Sequence, residues 1–160
     1  MAETTVVAVP RDGTITITNA DAVSYTVAFE SGDFNANFDK AERIVIYDRS
    51  QIVGLRSGND PIPSISFSVH LRELADSTED TILDFVYKTG NSSGATSTGG
   101  TGFEQFLVTV EFQANMAALG GSNTKATFNK VLLTASVAEG NPTSISFTGE
   151  VYGDITRVEV

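Results

Sequence analysis

The sequence predicts a mainly β chain, an antiparallel β-barrel or sandwich with one short flanking α-helix and a protruding β-hairpin. Three observations carry that prediction. Long segments alternate apolar and polar residues with period two, the pattern of strands that have one buried and one solvated face. A single stretch, from Asp76 to Gly90, changes to helical spacing. The last two alternating segments, Lys125 to Ala138 and Thr143 to Gly153, are separated only by Glu139-Gly140-Asn141-Pro142, so the chain is expected to end in a long antiparallel hairpin.

Residues 1–13 hold no sustained period and read as an N-terminal arm. Thr14 to Thr18 alternates hydroxyls with Ile15 and Ile17, and Val23, Tyr25, Val27 and Phe29 alternate with polar or small neighbours after a turn at Asn19-Ala20-Asp21. Asp33 to Asp39 alternates again. Its oxygen-bearing side chains at every second position have the look of a calcium loop, but an EF-hand needs Gly at the sixth position and Glu at the twelfth, where this chain has Phe38 and Ile44. An amphipathic strand is expected there, and no metal.

Glu42 to Tyr47 and Gln51 to Arg56 flank Asp48-Arg49-Ser50 as a tight hairpin over 42–56. Here the alternation fails: Ile44, Val45 and Ile46 are consecutive, as are Ile52 and Val53, so apolar groups fall on both faces. Such a hairpin needs two coverings. Either it is sandwiched inside its own domain or one covering is another subunit, and the five residues just named are the candidate subunit interface. After a loop at 57–63, Ser64, Ser66 and Ser68 alternate with Ile65, Phe67 and Val69. Ser77 with Asp80, or Asp76 with Glu79, is expected to cap a helix of about three turns carrying Ile82, Leu83, Phe85 and Val86 on its apolar stripe, with Lys88 and Gly90 at its end. Residues 91–102 and 115–124, rich in small side chains, are expected to be flexible loops. Between them Phe106, Val108, Val110 and Phe112 form a further inward face opposite Thr109, Glu111 and Gln113.

At 160 residues the chain is expected to form one domain over 1–160, and a net charge of −10 opposes stable binding to nucleic acid or an anionic membrane, which needs Lys and Arg against the phosphates. The absence of cysteine removes any disulfide framework and suits a reducing compartment. The first residues lack the basic start and apolar core of a signal peptide, and no apolar run reaches the length of a membrane span.

No constellation of chemistry stands out. Gly90-Asn91-Ser92-Ser93-Gly94 spells a nucleophile elbow, yet a helix precedes it and a glycine-rich loop follows, the reverse of what the elbow requires. His70 has no cysteine or second histidine with which to share a metal. Asp76, Glu79, Asp80 and Asp84 lie in and before the first turns of the helix, where the macrodipole favours acids. The sequence offers no catalytic residue and no cofactor site, and an enzyme is not expected. The polar faces of the recognisable strands (Ser64, Ser66, Ser68 and His70; Gln105, Thr109, Glu111 and Gln113; Ser144, Ser146, Thr148 and Glu150) carry no Lys or Arg. Such a surface is hydrophilic but does not hold a polyanion.

Two segments carry a family likeness. Pro63 to Arg72 (PSISFSVHLR) leads into Asp76 to Tyr87 (DSTEDTILDFVY), and the closing Ala138 to Gly149 (AEGNPTSISFTG) is followed by Tyr152-Gly153. In these residues and in the order of its elements from Thr14 onward, the chain resembles the major tail tube proteins of long-tailed bacteriophages. The resemblance implies a structural virion protein, assembled in the host cytoplasm as hexameric rings that stack into a hollow tube. Its partners would be further copies of itself, the tape measure, tail terminator and baseplate proteins, and double-stranded DNA in transit. On that reading Ser64, Ser66, Ser68, Glu111 and Glu150 are the candidate lumen-facing residues, because a face free of cations lets phosphates slide past. The alternative is a monomeric β-sandwich binding module for carbohydrate or a cell surface. It lacks tryptophan for stacking.

Overall fold

The computed structural model describes residues 13–27, 34–38, 41–72, 74 and 80–160. Ten strands and one α-helix follow in order: β1 (Gly13–Thr18), β2 (Ser24–Val27), β3 (Asn35–Asn37), β4 (Arg43–Asp48), β5 (Gln51–Ser57), β6 (Ser64–His70), α1 (Ile82–Tyr87), β7 (Val108–Ala114), β8 (Thr124–Ala138), β9 (Ser144–Val151) and β10 (Ile155–Glu159). Eight strands form one antiparallel sheet in the order β2-β1-β7-β8-β9-β6-β3, with β10 also paired to β8; β4 and β5 form a sheet of their own. The fold class is therefore the mainly β, antiparallel one that the alternation predicts.

Period-two patterning fixes which way each strand faces. Ile15, Ile17, Ile65, Phe67, Ile145 and Phe147 are at most 2% exposed, while the hydroxyl residues between them face outward. The sheet curls strongly. Phe34, just before β3, stacks on Phe112 of β7 with ring centroids 4.5 Å apart, although β3 and β7 are separated by β8, β9 and β6 in the strand order. Curling encloses one continuous core to which β1, β2, β6, β7, β8, β9 and α1 all contribute. Gly149 makes the tight wrap possible, since a Cβ there would lie 2.7 Å from Val131 Cγ1 and 2.8 Å from Leu133 Cδ2.

β8 is 15 residues long and works as two strands in series. Its first half pairs with β7 on one side and β10 on the other; from Val131 to Ala138 it pairs with β9. The register shifts between Val108 and Val110, and Lys130 takes a left-handed φ of 54°, so a bulge resets the alternation and keeps Phe128, Val131 and Leu133 all inward. Past Val131, no strand described here pairs with β8 on its β7 side. There the hydroxyl of Tyr87, from α1, accepts the Ala135 N–H at 2.7 Å.

Three features depart from the sequence expectation. The helix starts later and is shorter than three turns: Thr81 is its N-cap, and only Ile82–Tyr87 are helical. Asp76, Ser77 and Glu79, from the expected caps, lie outside the described residues. Thr81 Oγ1 accepts from Asp84 N at 3.2 Å and donates to Asp84 Oδ2 at 2.9 Å, which is a capping arrangement four residues downstream of the expected Ser77–Asp80 pair. Second, the terminal hairpin is not the end of the fold. After Val151 the chain steps through Tyr152-Gly153-Asp154 and returns to β8 as β10, in register from Ile155↔Phe128 to Glu159↔Thr124. Third, segment 91–102 is tied to the rest of the domain. Thr96 N donates to Asp21 Oδ2 at 2.7 Å, Ala20 N to Thr96 O at 3.0 Å, and Ser97 Oγ accepts from Leu107 N at 2.9 Å.

Asp84 also closes the helix from its other end. Its Oδ1 accepts from Thr89 Oγ1 at 2.8 Å, while Lys88 sits in the left-handed C-cap conformation. The two threonine hydroxyls, Thr89 first and Thr81 second, hold the Asp84 carboxyl below the ordinary aspartate value. A carboxylate with a depressed folded pKa stabilises the fold above its unfolded pKa, and that contribution disappears as pH falls through the folded one. Thermal melts of Asp84→Asn against the native chain are therefore expected to differ at neutral pH and to converge as the pH drops below about 4; parallel profiles would show that the charge of Asp84 is immaterial.

Candidate assembly surfaces

The first surface is the β4–β5 hairpin, which leaves large apolar side chains exposed. Cross-strand pairs run Arg43↔Ser57, Ile44↔Arg56, Val45↔Leu55 and Ile46↔Gly54, then slip at Val53 to Tyr47↔Ile52 and Asp48↔Gln51. Val45, Tyr47, Ile52 and Leu55 therefore share one face, Ile44 and Ile46 share the other, and Val53 is the bulged residue. Neither face is covered: Ile44 is 50% exposed and Tyr47, Ile52, Val53 and Leu55 are each above 60%. The alternative in which the hairpin is sandwiched within its own domain is not what this chain builds. Leu55 and Tyr47 were not in the sequence-derived interface set, because the slip at Val53 that aligns them with Val45 and Ile52 leaves no mark on the period.

Its turn is strained. Arg49 and Ser50 have φ of 47° and 65°, the two left-handed residues of a type I′ turn, which matches strand twist but favours Asn-Gly. Each non-glycine residue there costs about 1 kcal/mol. The double change Arg49→Asn with Ser50→Gly is expected to slow hydrogen exchange of the hairpin amides roughly fivefold to tenfold, and unchanged exchange would refute a strained turn.

The second surface is the outward face of the main sheet. Ser64, Ser66 and Ser68 of β6 stand opposite Glu150, Thr148 and Ser146 of β9, which in turn oppose Leu132, Thr134 and Ser136 of β8. Continuing outward, Thr127, Glu111 and Thr16 align across β8, β7 and β1. The five candidate lumen residues thus share one broad, hydroxyl-rich face. Glu111 is separated from the other four by the bulge in β8.

That face is not free of cations. Lys125 Nζ lies 3.4 Å from Glu111 Oε2, and Thr127 Oγ1 is 3.4 Å from Glu111 Oε1. The expectation of a face without Lys or Arg fails at the first half of β8, where Lys125 stands beside Glu111. Glu111 is locally neutralised, leaving Glu150 as the acid of the row. Its carboxylate accepts the Tyr152 hydroxyl proton, and this hydrogen bond pushes the Tyr152 phenol above its ordinary value. Tyr152 lies against Phe103, with Lys130 Nζ 4.9 Å from the Phe103 ring centroid.

The remaining sequence candidates have structural places. Ser92 is buried in a 3-10 turn, Gly90–Gly94, directly after α1. His70 ends β6 opposite Ser144. Among the described residues no three His, Cys, Asp or Glu side chains come close enough to hold a metal ion, and none of the helices is long and apolar enough to cross a membrane.

No protein-family model matches the sequence, and no curated protein matches it. A solved structure does. It is a chain from the cryo-EM structure of an extracellular contractile injection system, the PVC sheath–tube complex in its extended state, with a TM-score of 0.60 at 10% identity. The two chains share a fold. The match spans 98% of this chain and 93% of the other, so the likeness takes in the whole architecture.

Proposed function

We propose that this chain is the subunit of a tail tube, a structural protein that assembles into stacked rings around a hollow channel. The observation that carries the reading is the fold match, over nearly the whole of both chains, to a component of a sheath–tube complex. Two surfaces support it. A hairpin apolar on both faces and uncovered by its own chain is a poor feature for a monomer, since a two-stranded hairpin is marginal in water. A curled sheet with open outer strands gains from pairing around a closed ring.

In its finer form the proposal is a hexameric ring in a bacteriophage tail that conducts DNA to the host, with tape measure, terminator and baseplate proteins as neighbours. The hairpin residues Ile44, Val45, Ile46, Ile52 and Val53, joined by Tyr47 and Leu55, make contacts between subunits. The hydroxyl face bearing Ser64, Ser66, Ser68, Glu111 and Glu150 lines the channel. Negative-stain microscopy of the concentrated chain is expected to show rings or tubes; a chain that remains monomeric at all concentrations and ionic strengths would overturn the assignment.

A further inference from the structure

The hairpin differs from the rest of the molecule in charge as well as in exposure. Three of the ten basic residues of the chain, Arg43, Arg49 and Arg56, lie within the hairpin and its base, against two acids, Glu42 and Asp48. The hairpin therefore carries one net positive charge on a chain of −10, so the remainder carries −11. All three arginines are exposed, and none makes an ion pair among the described residues. They are also spread over the element. Arg43 shares a face with Val45 and Leu55, Arg56 shares the other with Ile44 and Ile46, and Arg49 is at the tip.

Resting on the self-assembly reading above, we infer that the hairpin docks on a second copy of this chain through charge complementarity, its arginines meeting the acidic body of the neighbour. Two bodies of −11 repel each other, and an apolar contact alone has no means of selecting where they touch. A cationic element on an anionic body supplies that selection: it is attracted to the body of the next copy, and it makes the contact head-to-tail, because hairpin meets body and hairpin repels hairpin. The apolar residues between the arginines are then buried as the charges bring the surfaces together. Arginine suits this role, since its planar fork can hold a carboxylate with two hydrogen bonds and is weakly hydrated.

The test compares the native chain with the triple variant Arg43→Glu/Arg49→Glu/Arg56→Glu, using sedimentation to find the concentration at which half the protein is assembled, in 0.05 M and 1 M NaCl. Because the Debye length shrinks from over 10 Å to about 3 Å across that range, a charge-guided contact loses its guidance. At low salt the variant is expected to need about a hundredfold more protein than the native chain, and at 1 M the two should agree within about threefold. The triple Arg→Lys variant, which keeps the sign, should follow the native chain to within about tenfold at low salt. Melting curves confirm folding, which these exposed sites leave unchanged. A glutamate variant that assembles like the native chain at low salt would overturn the inference while leaving tube formation standing. A native chain that never assembles would overturn both.

Discussion

Leu55→Asp is expected to leave the isolated chain as stable as the native one and to abolish assembly. Leu55 is 67% exposed and stands in register with Val45 on the larger apolar face of the β4–β5 hairpin, which belongs to a sheet separate from the main one. In the monomer the new carboxylate sits in water and costs little. In a ring or tube it is carried into a subunit contact without a partner, a loss on the order of a few kcal/mol at each contact, repeated around the ring. Circular dichroism and thermal melting should match the native chain while sedimentation shows only monomer. A variant that unfolds would place Leu55 in the core of the subunit itself, and one that still polymerises would remove the hairpin from the interface.

The opposite behaviour is expected at Phe128. Fully buried in the first half of β8, it lies 5.8 Å from the ring of Phe34 and 5.9 Å from that of Phe38, where the curled sheet closes on itself. Phe128→Ala removes an aromatic side chain from the place where β8 meets the residues flanking β3, at a cost of about 3–5 kcal/mol, a large share of the total stability of a domain this size. Urea denaturation is the appropriate measurement. A loss below about 1 kcal/mol would mean that the site collapses around the deletion and that the curl does not depend on this cluster.

Where one face of a strand is buried and the other wet, the sequence states it openly, and β1, β6, β7 and β9 lie within a residue or two of their expected positions. Legibility fails where geometry breaks the period. In β10 the strand Ile155–Glu159 places Arg157 on the inward side, over the Phe38 ring with its guanidinium 5.8 Å from the centroid, so a charged residue occupies a position that the pattern reserves for apolar ones. In β8 the bulge at Lys130 shifts the alternation by one, which hid Lys125 from the outward face. In β5 the slip at Val53 moves Ile52 into line with Tyr47. The helix cap is illegible for a different reason: acids and hydroxyls at 76–81 offer several equivalent starts, and only the reciprocal bonds between Thr81 and Asp84 decide among them. Both candidate surfaces were visible as composition. Their membership was not, since it depends on which residues a bulge aligns.

The pairing of β1 with β7 sets the order in which this fold can be completed during synthesis. Gly13 is in register with Ala114 and Thr18 with Thr109, so the first strand of the sheet waits for about a hundred residues to emerge before its partner exists. Until then Ile15 and Ile17, which end with no exposed surface, have β2 beside them but lack the strand that pairs their other edge. By contrast β8 and β9 meet across a short turn and can zip as soon as they leave the ribosome. β1 is made long before β7 and locked only with it, and closing that long loop is the slow step expected of this topology.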